Sequence, residues 1–313
     1  MSDITQGIWD VVICGGGPAG LTAGLYAVRS GMRALLVEKG IVGGMAATAS
    51  HVENYPGIME AVSGRDITEK MSAQAQSFGL EIIDLVSVVT ILHPSIFQIH
   101  LSNGHMIQSK TVIVAGGSIP KALNVEGEKT FLGKGISYCA TCDAPFFKNQ
   151  KIIVVGGGNT ALYEALYLTQ FASKVTVIHR RDKLRGDWIV QERALKNPAI
   201  EFIWDSVVEK INGTSLVESV TVRNVKTNQE SDIETAGVFI FAGSIPQTDI
   251  VKNMVTLDND GYIITDENMC TSMPGIFAAG DCRKKMLRQI VTATNDGAIA
   301  AISAYHYIQH NME

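Results

Sequence analysis

The chain has 313 residues, and at the usual domain size this length predicts about two domains. Its content of 46% hydrophobic and 18% charged residues is typical of a folded globular protein and excludes a disordered chain. The net charge of −5 and the lack of a basic stripe argue against nucleic acid as a partner.

The N-terminal segment lacks the basic and apolar regions of a secretory signal, and no apolar run is long enough to span a bilayer. We therefore expect a cytoplasmic protein that does not associate with a membrane. Thiols stay reduced in that compartment, so the five cysteines are more often catalytic or inert than a set of structural disulfides.

One structural unit occurs twice along the chain. Residues 11–14 form an apolar strand that leads into the glycine-rich residues 15–20, a helix over 21–29 and a second strand over 34–37. The pattern recurs 141 positions later, with a strand at 152–155, glycines from 156, a helix over 162–171 and a strand at 175–178. Glycines between a strand and a helix allow a pyrophosphate to approach the helix N-terminus, so each copy predicts a Rossmann-like dinucleotide site.

The residues that end the second strand of each copy predict which nucleotide binds. Glu38 ends the first copy, where a carboxylate accepts hydrogen bonds from ribose hydroxyls and repels a 2′-phosphate. The second copy has His179-Arg180-Arg181, followed by Arg185, and guanidinium groups suit phosphate. A solvated basic turn is the alternative for these arginines. We interpret the second copy as an NADPH site and the first as the site of another adenine dinucleotide, and this pairing indicates FAD reduced by a nicotinamide.

The second copy is predicted to be inserted into the domain of the first. Residues 111–114 and 238–241 each form the last strand of a domain, and residues 275–281 return the chain to the first domain with Asp281 at a strand end. A helix is predicted from about 296 to 307. The expected fold is therefore α/β with two Rossmann-like dinucleotide-binding domains. We expect the FAD domain at 1–118 and 249–313 and the NADPH domain at 119–248, with hinges near 119 and 247.

Cys139-Ala140-Thr141-Cys142 is a CxxC motif, and two thiols at this spacing can form a redox-active disulfide with one low-pKa thiol. A structural disulfide or a metal site is the alternative, but zinc needs two further ligands and no second motif supplies them. We therefore expect no metal. Asp143 is either a general acid for the thiols or a turn-capping residue. The other cysteines are isolated, and we expect Cys14 and Cys282 to be small core residues.

Together these motifs resemble the low-molecular-weight thioredoxin reductases, and the resemblance covers nearly the whole chain. The matching segments occur in the family's order: residues 15–20, 52–57, 139–143, 156–161, 179–182, and 280–281 with 288–289. The dinucleotide loops alone are shared with many flavoproteins, whereas the combination is specific.

The resemblance implies a homodimer that passes electrons from NADPH through FAD and the Cys139–Cys142 disulfide to thioredoxin or a similar protein. It implies that Cys142 faces the flavin, that Cys139 attacks the partner disulfide and that Asp143 donates a proton. It also implies two alternating domain orientations. Phe146 and Phe147 match aromatic residues that dock thioredoxin, with core packing as the alternative for each.

The resemblance further implies that Asn54 and residues 288–290 hold the flavin ring and that Asp281 holds the ribitol. The full set of expected FAD contacts is Gly15, Gly17, Pro18, Ala19, Gly20, Glu38, Lys39, Gly44, Met45, Asn54, Gly116, Gly280, Asp281, Arg288, Gln289 and Ile290. The expected NADPH contacts are Gly156, Gly158, Asn159, Thr160, His179, Arg180, Arg181, Arg185, Ala242 and Gly243.

Two residues depart from the family pattern. Met45 replaces the usual Gln after two glycines, and Asn159 replaces the usual Asp in the second glycine loop. We expect these departures to affect the flavin potential or nicotinamide affinity rather than the disulfide.

Three other functions compete with an NADPH-dependent reductase. A dithiol oxidase would pass electrons from the cysteine pair to oxygen, but the three arginines argue against it because such enzymes tend to lack an NADP site. A second alternative takes electrons from ferredoxin or another carrier. The third is a flavin-binding redox sensor without turnover.

Overall fold

The computed structural model describes residues 5–49, 52–58, 62–93 and 95–311. The chain divides into two compact units. The outer unit comprises Met1–Ile119 and Ile245–Glu313, and the inserted unit comprises Pro120–Ser244. Two short strands at the crossings, β7 (Ser118–Pro120) and β16 (Ser244–Pro246), pair with each other.

The outer unit contains a seven-stranded sheet in the order β3-β2-β1-β6-β5-β4, with β17 also pairing with β6. Its strands are β1 (Ile8–Cys14), β2 (Ala34–Val37), β3 (Glu81–Ile83), β4 (Val88–Leu92), β5 (Phe97–Leu101), β6 (Met106–Val114) and β17 (Ile276–Ala278). Strands β1, β2, β3, β6 and β17 pair in parallel, whereas β4 and β5 form an antiparallel extension. The helices are α1 (Pro18–Arg29), α2 (Gly64–Ser77) and α6 (Ile290–Asn311).

The inserted unit contains a five-stranded parallel sheet in the order β11-β10-β9-β15-β8, and an antiparallel sheet of β12, β13 and β14. Its strands are β8 (Ile136–Ser137), β9 (Lys151–Val155), β10 (Lys174–Ile178), β11 (Ile200–Ile203), β12 (Ser206–Gly213), β13 (Val217–Asn224), β14 (Glu230–Glu234) and β15 (Gly237–Ile240). The helices are α3 (Ala140–Asp143), α4 (Asn159–Leu168) and α5 (Trp188–Lys196). These parallel sheets, one in each unit, confirm the predicted α/β fold of two Rossmann-like units.

Three helices begin or end differently from the sequence prediction. Helix α1 begins at Pro18 instead of residue 21, because proline has the backbone angle that a first helical position needs. Helix α4 covers Asn159–Leu168 rather than 162–171. Helix α6 begins at Ile290 rather than 296, because four of its first five residues are β-branched and give only a weak local signal for a helix.

Helix α6 packs directly on α1. A Cβ added at Gly297 would lie 2.1 Å from the backbone oxygen of Ala19, so the two helices approach at backbone distance. Ala19 belongs to the first turn after the glycine-rich segment, and this packing therefore fixes that segment against the unit's last helix. Within the described residues, none of the helices has the length and apolar character needed to cross a membrane.

Helix α4 carries one acidic side chain in an apolar setting. Atom Oε2 of Glu164 is buried and has no hydrogen-bond partner among the described residues. Burial raises the pKa of this carboxyl to about 7, since the ionised form is poorly solvated there. The folded protein therefore retains a proton that the unfolded chain releases near its ordinary pKa.

Replacing Glu164 with Gln should stabilise the protein above pH 7 and change little near pH 5. The raised pKa means that the stability of the wild type falls as pH rises from the ordinary glutamate pKa to about 7 and is then constant. Glu164→Gln removes this loss, which we expect to be on the order of 2–3 kcal/mol. Melting temperatures between pH 5 and 8 measure it, with Glu230→Gln on β14 as the exposed control. A difference that is the same at both ends of this range would contradict the buried, protonated carboxyl.

Candidate redox and dinucleotide sites

The two cysteines of the CxxC motif form a disulfide in the inserted unit. The sulfurs of Cys139 and Cys142 are 2.03 Å apart, and Cys139 caps the short helix α3. The Sγ atom of Cys139 accepts a hydrogen bond from the backbone N–H of Cys142 at 3.2 Å and lies 3.3 Å from Oγ1 of Thr141. Cys142 is exposed, and Cys139 is half-buried. Donors beside a sulfur favour its thiolate form, so this environment suits thiol–disulfide chemistry.

A buried carboxylate anchors the segment before the disulfide. The hydroxyl of Tyr138 donates to Glu128 at 2.5 Å, and the backbone N–H groups of Leu123 and Asn124 donate to the same carboxylate at 2.9 and 2.6 Å. Burial and the nearby carboxylate raise the pKa of Tyr138. Because Tyr138 directly precedes Cys139, this network fixes the entry into the redox motif. Sequence reasoning missed Glu128, which no motif distinguishes from a surface glutamate.

The residues after the disulfide separate into buried and exposed positions. Asp143 is half-buried, and its backbone N–H donates to the carbonyl of Cys139 at 3.3 Å. Phe147 is 9% exposed and packs edge-on against Phe239, with ring centroids 5.3 Å apart, whereas Phe146 is 76% exposed. Of the two aromatic residues expected for docking, Phe147 therefore belongs to the core.

In the outer unit, the predicted FAD contacts around the first glycine loop lie together. The carboxylate of Glu38 accepts hydrogen bonds from the backbone N–H groups of Gly16, at 2.6 Å, and Gly40, at 2.8 Å. Gly43 donates to the carbonyl of Gly16 at 2.8 Å, which brings the Gly43–Gly44 turn onto the loop. Met45, the departure from the family pattern, is 48% exposed. Lys39 and Gly116 both contact Gln247.

A second group of predicted FAD contacts surrounds the start of α6. Asn54 donates to Gln289 at 3.0 Å, and the guanidinium of Arg288 lies 4.0 Å from the ring centroid of Tyr262. Asp281 follows β17 in a short 3-10 helix, and burial raises its pKa, opposed by Lys285 and Arg288. The turn at Gly280 contacts Ala19, which joins this group to the first glycine loop.

A buried ion-pair cluster supports this turn. Asp296 on α6 is 2% exposed and accepts hydrogen bonds from the backbone N–H of Gly280 at 3.0 Å, from Arg283 at 3.1 Å and from Lys285 at 2.6 Å. Sequence reasoning missed Asp296. The basic residues 283–285 were the available signal, because two cations so close together require a buried or bound anion.

In the inserted unit, the second glycine loop repeats the arrangement with a different side chain. The imidazole of His179 lies against Gly157, where an added Cβ would be 2.4 Å from the ring. His179 Nε2 is 3.0 Å from the carbonyl of Lys183. Burial lowers the pKa of His179, and the guanidiniums of Arg185, Arg181 and Arg180 lower it further. The ring is therefore neutral at neutral pH and donates from Nε2 to that carbonyl.

The predicted phosphate-binding side chains lie beside this loop. Arg180, Arg181 and Arg185 are exposed, and none of them has an ion-pair partner in the described part of the chain. The backbone N–H of Arg185 donates to the carbonyl of Gly157 at 2.7 Å. Asn159 pairs with Asp187, a residue that sequence reasoning did not select. The other predicted contacts here are exposed: Thr160 in the first turn of α4, and Ala242 and Gly243 just after β15.

The space beside both glycine loops is open enough for a dinucleotide. At Gly158 a Cβ would meet no atom within 4 Å, and at Gly17 only the Cα of Gly44 at 4.0 Å, so both face outward with no side chain in the way. In the outer unit, Oδ1 of Asp281 and Nε of Arg288 are buried without hydrogen-bond partners among the described residues. Such orphaned groups favour a polar ligand that satisfies them.

Comparison with known proteins agrees with this geometry. Residues 9–297 match the family model described as pyridine nucleotide-disulphide oxidoreductase. The thioredoxin reductase of Peptoclostridium acidaminophilum is 43% identical, over 98% of this chain and 99% of its own. The crystal structure of Lactococcus lactis thioredoxin reductase is 43% identical, with a TM-score of 0.94 over 96% of this chain and 99% of its own. The crystal structure of T. acidophilum thioredoxin reductase is 36% identical, with a TM-score of 0.91 over 95% of this chain and 98% of its own.

The match extends through both glycine loops, the disulfide and the return to the outer unit, so it covers every segment on which the sequence resemblance depended. The chain is a member of the pyridine nucleotide-disulphide oxidoreductase family.

Proposed function

We propose that this protein is an NADPH-dependent thioredoxin reductase that transfers electrons through FAD and the Cys139–Cys142 disulfide to a thioredoxin-like protein. The observation that carries the proposal is a disulfide in a CxxC motif, held within one of two Rossmann-like units. The relatives named thioredoxin reductase, which match along nearly the whole chain, support it.

FAD is proposed to bind the outer unit. Glu38 would hold the adenosine ribose, and the backbone N–H groups at the start of α1 would hold the pyrophosphate. The orphaned Oδ1 of Asp281 would accept from a ribityl hydroxyl, and Asn54, Gln289 and Arg288 would contact the flavin ring.

NADPH is proposed to bind the inserted unit, with its pyrophosphate at the start of α4 and its 2′-phosphate on Arg180, Arg181 and Arg185. The neutral His179 occupies the place that Glu38 has in the first copy, so no carboxylate at this position repels the 2′-phosphate. When bound, the two dinucleotides supply hydride transfer from nicotinamide to flavin and two electrons for the disulfide.

The cysteines then carry out thiol–disulfide exchange. Once the disulfide is reduced, the thiolate of Cys139 attacks one sulfur of the partner disulfide, and the other partner sulfur leaves as a thiolate. Cys142 then attacks Sγ of Cys139, which releases the second partner thiol and restores the original bond. The N–H of Cys142 and the hydroxyl of Thr141 favour the Cys139 thiolate, and Asp143 is positioned one residue after Cys142 to supply the proton.

The partner surface is proposed to include Phe146, which is exposed two residues after the start of the 3-10 helix that follows Asp143. A homodimer, which the resemblance to the family implies, and the cytoplasmic location expected above complete the proposal. Sedimentation of the purified holoprotein measures the dimer directly.

NADPH should bleach the flavin of the purified protein under anaerobic conditions at far lower concentration than NADH. Replacing Arg180, Arg181 and Arg185 with Ala should reduce the preference for NADPH at least tenfold, because each charged hydrogen bond to phosphate contributes about 1.5–3 kcal/mol. Lys196→Ala, which removes a cation from α5, should leave the preference unchanged. Equal bleaching of the wild type by NADH and NADPH would contradict the assignment of the donor.

Cys139→Ser should abolish turnover with oxidised thioredoxin while NADPH still bleaches the flavin. Cys142→Ser should instead retain a covalent complex with thioredoxin through Cys139, because the second cysteine no longer resolves the mixed disulfide. A non-reducing gel shows this complex, and Cys270→Ser is the control that should keep full turnover. Normal turnover of Cys139→Ser would exclude the disulfide relay.

A further inference from the structure

Two hydrogen bonds from its own backbone N–H groups hold the segment that carries the three arginines against the second glycine loop and the start of α4. We call residues 180–187 the arginine loop. The backbone N–H of Arg185 donates to the carbonyl of Gly157 at 2.7 Å, and that of Asp187 donates to Oδ1 of Asn159 at 2.6 Å. The arginine loop is therefore tied at two points to the segment that opens α4.

The side chains of Asn159 and Asp187 complete a reciprocal pair. Nδ2 of Asn159 donates to the carboxylate Oδ2 of Asp187 at 3.0 Å, while its oxygen accepts from the backbone of the same residue. Only an amide can donate and accept in this way. An Asp at position 159 would place two carboxylates in contact. Asn159, which the family pattern did not explain, is thus matched to the acidic residue at 187.

Between them, the two tied segments hold all the groups of the inserted unit that are proposed to bind phosphate. In the proposed function, the second glycine loop would face the pyrophosphate of NADPH, and the arginine loop would face its 2′-phosphate. The guanidiniums are exposed and have no ion-pair partners within the described residues, so side-chain contacts do not fix them. Their distance from the glycine loop depends on the backbone of the arginine loop, and hence on its ties. The ion pair of Lys226 with Asp205, 2.8 Å, and with Asp182, 3.9 Å, holds the other side of this loop.

We propose that the Asn159–Asp187 pair is a specificity-determining latch, which positions the arginine loop for the 2′-phosphate and thereby sets the preference for NADP(H) over NAD(H). The inference rests on the proposed function, in which the inserted unit binds NADPH. Asn159 and Asp187 are positioning residues here, since they act through the three arginines.

The test measures binding of NADP⁺ and NAD⁺ to the oxidised holoprotein by calorimetry, so that no hydride transfer occurs. Asn159→Asp should weaken the binding of NADP⁺ about tenfold, as the loss of one charged hydrogen bond predicts. It should weaken the binding of NAD⁺ by much less. Asp187→Ala removes the latch without adding charge, and it should weaken NADP⁺ selectively as well. Asp187→Ala therefore also tests the inference by itself if Asn159→Asp fails to fold.

The decisive variant exchanges the two residues, Asn159→Asp with Asp187→Asn. It restores an amide–carboxylate pair, so we expect NADP⁺ affinity to return to within about threefold of the wild type. The charge control is Asn149→Asp, in the exposed turn before β9 at the opposite end of that strand from the glycine loop, and it should leave both affinities unchanged.

Two results would overturn the inference. In the first, Asn159→Asp weakens the binding of both nucleotides equally, and the exchanged pair does not restore it. Position 159 would then act only through its own charge. In the second, Asp187→Ala leaves the NADP⁺ preference intact. A wild type that binds NAD⁺ and NADP⁺ equally would instead overturn the donor proposed above, and the latch with it.

Discussion

Close backbone-to-backbone contact at one glycine in each unit is the constraint on which both candidate dinucleotide sites depend. A Cβ at Gly15 would lie 2.3 Å from the carbonyl oxygen of Ala115, and one at Gly156 would lie 2.6 Å from that of Phe241. Both glycines have positive φ, at 116° and 151°. Strands β1 and β9 can therefore end beside their neighbours, β6 and β15, and turn at once into a helix. In each unit, the N-terminus of the helix that follows therefore lies at the carboxyl ends of the strands, where anions bind.

The two copies use this common frame for opposite electrostatic purposes. In the first, Glu38 lies against the middle glycine of the loop, and its carboxylate is fixed by two backbone N–H groups. In the second, a neutral imidazole lies against the middle glycine, and exposed guanidiniums follow it. In the proposed function, Glu38 would repel a 2′-phosphate in the first copy, whereas the neutral His179 and the guanidiniums that follow it would accept one in the second.

The sequence alone predicts the parts of this molecule that depend on local pattern. Apolar runs, glycine spacing and the CxxC motif identified the strands on either side of each loop, both loops and the disulfide, but not the antiparallel strands β12, β13 and β14. It did not predict Asp296, Glu128 or Asp187, because each acts through partners that only the fold brings near. Asp296 is 16 residues from Gly280, whose backbone N–H donates a hydrogen bond to it, and Asp187 is 28 residues from its partner Asn159. Phe146 and Phe147 are adjacent and chemically identical, so only packing against Phe239 separates them.

The remaining cysteines also bear on how faithfully the redox pair operates. Burial raises the pKa of Cys14 to about 12 and that of Cys282 to about 11, and it raises the pKa of Cys270 as well. A thiol joins disulfide exchange only as an accessible thiolate. Each time the Cys139–Cys142 bond opens, the other thiols remain protonated spectators. Burial of Cys14 and Cys282 therefore disfavours a wrong internal disulfide, so the apolar core serves the redox pair as well as the fold.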